Sequence, residues 1–139
     1  MIKLIHFFIV ATILLSSANA ELTNFEKGKN LYNEKKYDLA KFKFEQDIVF
    51  NPKNEKSYLY LSKIFHEQKN KKLEEKNLNT VILLNPKNEE ATYNLAKLKL
   101  NDSDFEGSKK LIENLLVFCK EYCQKSENLK TEIEKSLNK

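Results

Sequence analysis

The sequence predicts an all-α protein: a solenoid of three helix–turn–helix repeats closed by a C-terminal capping helix and preceded by a signal peptide. Three observations carry that prediction. Asn51-Pro52-Lys53-Asn54-Glu55 returns letter for letter as Asn85-Pro86-Lys87-Asn88-Glu89, so that Pro86 answers Pro52. A fixed period of this size, about 34 residues, marks a repeat architecture. Gly and Pro number only two each in 139 residues, which leaves little punctuation and favours long helices. Apolar residues fall at helical spacing and recur at the same period.

The first twenty residues stand apart. A short positive start, Met1-Ile2-Lys3, leads into an apolar run from Leu4 to Leu15 and then into small residues ending Ala18-Asn19-Ala20. That order matches a secretory signal peptide with an A-x-A cleavage site. The run falls short of the ~20 residues a membrane-spanning helix needs. Residues 1–20 are therefore expected to be removed after Ala20, and no Cys stands at the cut to carry a lipid. His6 leaves with this segment.

Removing residues 1–20 from the 139-residue chain leaves 119, one domain's worth, and lowers the formal charge from +4 to +3 with the loss of Lys3. That balance does not point to nucleic acid. All 24 basic residues are Lys, so planar bidentate recognition of phosphate or carboxylate, which favours Arg, is not available. No later run is apolar enough to cross a membrane.

The helices follow in order. Thr23-Asn24-Phe25-Glu26 has the form of a capping box. It opens a helix to about Glu34, with Leu22, Phe25, Gly28 and Leu31 on one face. After a turn at Asn33–Lys36, a second helix carries Tyr37, Ala40, Phe44, Ile48 and Phe50, and Pro52 stops it. Asn54 caps the next unit, whose first helix shows Tyr58, Leu61 and Phe65. Leu73, Leu78, Val81, Ile82 and Leu84 mark its second helix, which Pro86 ends. The third unit carries Tyr93, Leu95, Ala96 and Leu98. A second capping box at Ser103–Glu106 then precedes Leu111, Ile112, Leu115, Leu116 and Phe118. A polar helix from about Tyr122 to Leu137 keeps Leu129, Ile133 and Leu137 on one stripe. The expected boundaries are 21–54, 55–88 and 89–119 for the repeats and 120–139 for the cap.

Reading down the period separates core from surface. Gly28, Ser62 and Ala96 are all small, as close helix approach requires. Phe44, Leu78 and Ile112 form one apolar ladder; Ile48, Ile82 and Leu116 form a second; Phe50, Leu84 and Phe118 form a third. All three ladders read as core.

These residues resemble the tetratricopeptide repeat family. The pattern is carried by Gly28, Leu31, Tyr37, Ala40, Phe44 and Pro52 in the first repeat. Ser62, Phe65, Leu78 and Pro86 carry it in the second, and Ala96, Phe105, Ser108 and Ile112 in the third. The resemblance spans about residues 21–119 and implies a right-handed solenoid. Asp47 and Glu74 stand where the family takes Ala, and Lys99 where it takes an aromatic. A lone buried carboxylate is costly, so these three are expected at the solvent edge or at a slip in register. Lys120 replaces the third Pro.

Solenoids bind along concave surfaces, and the resemblance implies that the first helix of each repeat lines that face. Three rows result: Phe25, Leu59 and Tyr93; Lys29, Lys63 and Lys97; Tyr32, His66 and Leu100. Apolar anchors beside lysines suit an extended or helical peptide with acidic character, although three lysines in so Lys-rich a chain also fit a plain solvated face. Some family members clamp a terminal carboxylate with Lys, Asn and Arg. The corresponding slots here hold Phe25, Lys29, Tyr60, Glu90 and Asn94; only Asn94 fits, so this is not that clamp.

Cys119 and Cys123 admit three readings. An even pair in an oxidising compartment reads as a structural disulfide, provided a turn separates the two helices. The C-x3-C spacing is not the redox motif C-x-x-C. A metal site wants four ligands, and His66 lies on another repeat. No phosphate loop, metal cluster or nucleophile–base pattern follows Ala20, and His66 beside Glu67, Tyr32 or Tyr60 makes no catalytic set. The expected function is an exported interaction scaffold without catalysis or cofactor, binding a protein or peptide segment in its groove. The expected location is the bacterial periplasm, with the external medium as alternative. The alternatives are a structural accessory of an envelope complex that docks by its convex face or edges, and a thiol module using the cysteine pair.

Overall fold

The computed structural model describes residues 22–137; the expected signal peptide lies outside them. Seven helices are present among the described residues: α1 (Asn24–Asn33), α2 (Tyr37–Phe50), α3 (Glu55–Glu67), α4 (Lys71–Leu84), α5 (Glu89–Asn101), α6 (Phe105–Phe118) and α7 (Cys123–Leu137). Each helix packs on the next, and α1 also touches α3 while α5 touches α7. That is the contact pattern of stacked helix pairs.

The local signals account for the ends. Thr23 caps α1 in a complete capping box: the Glu26 N–H donates to Thr23 Oγ1 at 3.2 Å and the Thr23 N–H donates to Glu26 Oε2 at 2.9 Å. The Thr23 N–H and the Thr23 hydroxyl, which donates to the same Oε2 at 3.1 Å, hold the Glu26 carboxyl below its ordinary value. The second capping box shifts by one residue. Asp104, not Ser103, caps α6, its carboxylate accepting from the Gly107 N–H at 2.9 Å. Ser103 instead occupies the turn, with φ 62°. Asn54 does stand at the N-cap of α3, but its side chain makes no cap bond; it turns to Asp47 instead.

The turn between the two helices of each pair follows one design. Lys35, Lys69 and Ser103 have φ of 58°, 54° and 62°, and each lies one repeat period from the next. The following residue donates back into the helix, Lys36 to Leu31 at 2.9 Å, Asn70 to Phe65 at 2.8 Å and Asp104 to Lys99 at 2.9 Å. This is the closure of a helix by a left-handed residue that satisfies its last carbonyls.

The core forms as three clusters among the described residues, one centred on Phe44, Leu61 and Ile64, one on Leu78, Val81 and Leu95, and one on Ala96, Ile112, Leu115, Leu129 and Ile133. Phe44, Leu78 and Ile112 are fully buried, and Ile48, Ile82 and Leu116 pack partly buried against the clusters. The ladder of Phe50, Leu84 and Phe118 is not uniformly core. Phe50 is 75% exposed, whereas Leu84 and Phe118, at the same place in the later repeats, are half-buried. The third buried ladder is Asp47, Val81 and Leu115, one helical turn beyond Phe44, Leu78 and Ile112. Leu22 precedes α1 and is exposed.

Two of the three departures from the family pattern are buried rather than at the edge. Asp47 is buried because it is satisfied: Asn54 Nδ2 and Ser57 Oγ each donate to Oδ2 at 2.6 Å, and Asn51 Nδ2 to Oδ1 at 3.4 Å. Glu74 is buried against His66. Lys99 does reach partly exposed ground, where Glu75 lies at 2.7 Å and Asp104 at 3.5 Å.

Candidate functional site

The inner helices α1, α3 and α5 border a cleft of about 180 Å³. From α3 come Ser62, Lys63, His66 and Glu67, and from α5 come Asn94, Lys97, Leu98 and Asn101. Both sets follow the i, i+3/i+4 spacing that places residues on one helix face. Tyr32 of α1 closes one end, and Glu74 of α4 forms part of the lining.

Lys63, Lys97, Tyr32 and His66 of the expected groove residues therefore meet in one cleft. The other four do not line it. Phe25 packs inward, its ring 5.9 Å from Phe44 and 5.8 Å from Tyr60. Leu59 is buried among Leu78, Val81 and Leu95. Tyr93 lies 5.4 Å from the ring of Tyr122. Lys29 is exposed on α1 outside the cleft. Leu100 of the third row is drawn into the core cluster under α7.

An aromatic wall stands behind the charged groups. Tyr60 stacks on Phe44 at 5.0 Å and meets Tyr32 edge-on at 5.2 Å. Burial pushes the Tyr32 phenol up, and Tyr37, Glu67, Tyr60 and Glu90 reinforce that direction. Lys63 lies 5.0 Å from the Tyr60 ring centroid and pairs with Glu90 at 2.7 Å. Its charge is thus largely matched within the chain. Lys97 lies 6.0 Å from the Tyr93 ring centroid.

His66 and Glu74 form the cleft's most unequal pair. Nδ1 and Oε1 are 3.0 Å apart, with side chains 67% and 8% exposed. Burial pushes the Glu74 carboxyl up; the neighbouring His66 opposes that shift and Asp102 adds to it. The bond at Nδ1 thus fixes one edge of the ring while most of the imidazole remains open to solvent.

The lining residues that the sequence did not single out as groove residues are Ser62, Glu67, Glu74, Asn94, Leu98 and Asn101. Asn101 had a signal, since it lies one repeat period after Glu67. Glu74 had none, because its slot in the repeat pattern belongs to small core residues.

The cysteines lie at the far end. Cys119 and Cys123 are joined as a disulfide with Cα atoms 5.3 Å apart. Cys119 leaves α6 in extended geometry (φ −59°, ψ 153°) and α7 starts at Cys123, so the bridge spans a turn rather than one helix. The Glu89 carboxylate caps that turn, accepting the backbone N–H groups of Lys120, Glu121 and Tyr122, each at 2.9 Å.

Comparison with solved structures gives the architecture its name. The first TPR of Spaghetti, bound to the HSP90 peptide SRMEEVD, matches with a TM-score of 0.75 at 20% identity, over 84% of this chain and 91% of that one. The Arabidopsis OM64 TPR domain matches with a TM-score of 0.72 at 18% identity, over 81% and 92%. The chain has the tetratricopeptide-repeat fold. The Yersinia enterocolitica type III secretion translocator chaperone SycD is similar over 93% of this chain and 91% of that one, with a TM-score of 0.72 at 14% identity. No family model and no curated protein matches the sequence.

Proposed function

We propose that this chain is an exported protein-interaction scaffold that receives a segment of a partner polypeptide in the cleft between α3 and α5, without catalysis. The cleft itself carries the reading. At about 180 Å³ it is smaller than the roughly 300 Å³ at which pockets begin to enclose small molecules. It suits one or two side chains of a longer chain lying across the inner helices. Asn94 and Asn101 offer amide donors and acceptors to a peptide backbone, and His66, Lys97 and Tyr32 offer polar groups beside apolar ring surface. Affinity for acidic segments rests on Lys97, since Lys63 already faces Glu90 and Lys29 lies outside the cleft. Export rests on residues 1–20, and the scaffold then works in the bacterial periplasm or the medium.

A photo-crosslinking residue introduced at Asn101 tests the site in cells. It is expected to capture a polypeptide, while the same residue at the exposed Glu127 of α7 captures none. Equal capture at both positions would overturn the reading. Titration of acidic peptides against Lys29→Ala/Lys63→Ala/Lys97→Ala tests the charge preference: affinity is expected to fall, and to fall almost as far with Lys97→Ala alone as with Lys63→Ala added. N-terminal sequencing of the exported protein checks cleavage after Ala20.

A further inference from the structure

Lys63 is held in place from two sides. Its Nζ lies 5.0 Å from the ring centroid of Tyr60. That ring is itself fixed, stacked on Phe44 at 5.0 Å and set edge-on to Tyr32 at 5.2 Å. Glu90 closes the other side from α5, with Oε1 at 2.7 Å. The two side chains are 27% and 32% exposed. The pair therefore joins α3 to α5 at the surface, beside the cleft, where a segment lying across the two helices must cover it. A partner's carboxylate reaching Lys63 would need the place that Glu90 holds.

The repeat does not require an acid there. Counted along the period, the slot of Glu90 holds Lys56 one step earlier and Gln124 one step later. The charge balance of the face turns on this residue. Lys63 and Lys97 line the cleft, and so do Glu67 and Glu74. Toward α7, Lys125 lies 4.7 Å from the ring centroid of Tyr122. The carboxylates on that side outnumber it. Burial, then Glu90, Glu121, Tyr93 and Glu89, push the Tyr122 phenol up, and burial and then Glu132 push up that of Tyr93. With Glu90 ionised, the face is acidic on balance.

We propose that Glu90 determines the specificity of the groove: it occupies Lys63 in place of a partner's carboxylate, so the groove takes a segment that is uncharged where it crosses the Lys63–Glu90 pair. An acidic side chain at that point meets the repulsion of Glu90, and a basic one meets Lys63. A neutral stretch covers an ion pair already made, which costs less than covering either charge alone. The proposal rests on the reading of the cleft as the partner-binding site. It narrows that reading, since an acidic side chain of the partner is then accepted only where it falls at Lys97.

Glu90→Gln puts into the slot the residue type that the next step of the period already carries, so circular dichroism is expected to match wild type. Acetylated and amidated hexaglutamate is titrated calorimetrically into the full chain, with hexaglutamine as the neutral control. Glu90→Gln is expected to bind hexaglutamate about fivefold more tightly than wild type, the scale of one partly exposed charge contact, and to bind hexaglutamine equally. Adding Lys63→Ala to Glu90→Gln is expected to remove the gain. Glu127→Gln, exposed on α7, changes the net charge by the same step and is expected to give none. Three results overturn the proposal: no gain from Glu90→Gln, a gain that survives Lys63→Ala, or an equal gain from Glu127→Gln, which would assign the effect to net charge. The crosslinking residue at Asn101 tests the groove separately. Capture there together with any of the three removes the role of Glu90 and leaves the groove standing.

Discussion

Glu89 Oε2 accepts the backbone N–H of Tyr122 at 2.9 Å, across 33 positions of chain. The same carboxylate holds Lys120 and Glu121, so one side chain in the first turn of α5 fixes the entry of α7. Those backbone donors hold its carboxyl below the ordinary value of 4.5. The unfolded chain therefore binds the proton more readily. Glu89 contributes its stabilisation fully above pH 4.5 and loses it as pH falls through the lower folded value. Glu89→Gln is expected to lower the urea midpoint at neutral pH, and the gap to wild type is expected to narrow below pH 4.5. A gap independent of pH would remove the carboxylate's charge from the explanation.

The disulfide acts on the same turn. Cys119 and Cys123 enclose a very short loop, so the entropy it removes from the unfolded chain is below the ~3 kcal/mol of a 15-residue loop. Glu89 already fixes that turn, so reduction alone leaves α7 docked through Leu129 and Ile133. Cys119→Ser/Cys123→Ser is expected to cost about 1–2 kcal/mol in urea unfolding, and combining it with Glu89→Gln to cost more than the two separately. Strict additivity would show that the two tethers work independently.

Glu74 titrates in the opposite sense. Burial raises its carboxyl above 4.5 despite the neighbouring His66, so the folded state holds the proton longer than the unfolded one. The ionised form costs stability, and that cost grows as pH rises from 4.5 through the folded value. Glu74→Gln is expected to be more stable than wild type at neutral pH, with the difference vanishing in acid. If wild type is the more stable at neutral pH, the bond to His66 outweighs desolvation.

How the chain folds was largely legible, because the repeat period fixes which residues are equivalent. Buried charges were harder to read. Asp47 is tolerated only because Asn51, Asn54 and Ser57 all reach it, and the period cannot show convergence across a turn. The same Asn pair in the second repeat bonds Glu55 instead, since Val81 stands in the slot of Asp47. Identical loops are thus wired differently. The cleft was half legible for a geometric reason. It lies between α3 and α5, which present opposite flanks to it, so Lys63 and Lys97 both line it while His66 does and its counterpart Leu100 does not.

The left-handed turns offer a stabilising change that no glycine in the sequence advertises. Lys35 and Lys69 hold φ of 58° and 54°, a conformation that costs a residue with a Cβ about 1–2 kcal/mol. Glycine removes that cost and gives back roughly 0.5–1 kcal/mol through its freer unfolded state. Lys35→Gly and Lys69→Gly are each expected to raise stability by about 0.5–1 kcal/mol in urea unfolding. Lys36→Gly, at φ −83°, is expected to lower it. A gain at Lys36 equal to that at Lys35 would refute backbone strain as the source.

Gly28 is small because of Phe44. A Cβ built at Gly28 would stand 2.8 Å from Phe44 Cε1 and 2.9 Å from Cδ1. The ring has no room to retreat, being fully buried and stacked on Tyr60 at 5.0 Å. On helix propensity alone Gly28→Ala would gain about 1 kcal/mol; the forced overpacking costs roughly 1–3 kcal/mol. The net expectation is a loss, read as a lower thermal midpoint. Phe44→Leu removes the clashing ring edge. In that background Gly28→Ala is expected to become neutral or stabilising, a coupling on the order of 1–2 kcal/mol between the two sites. The same loss in both backgrounds would mean that something other than this contact requires a small residue where α1 meets α2.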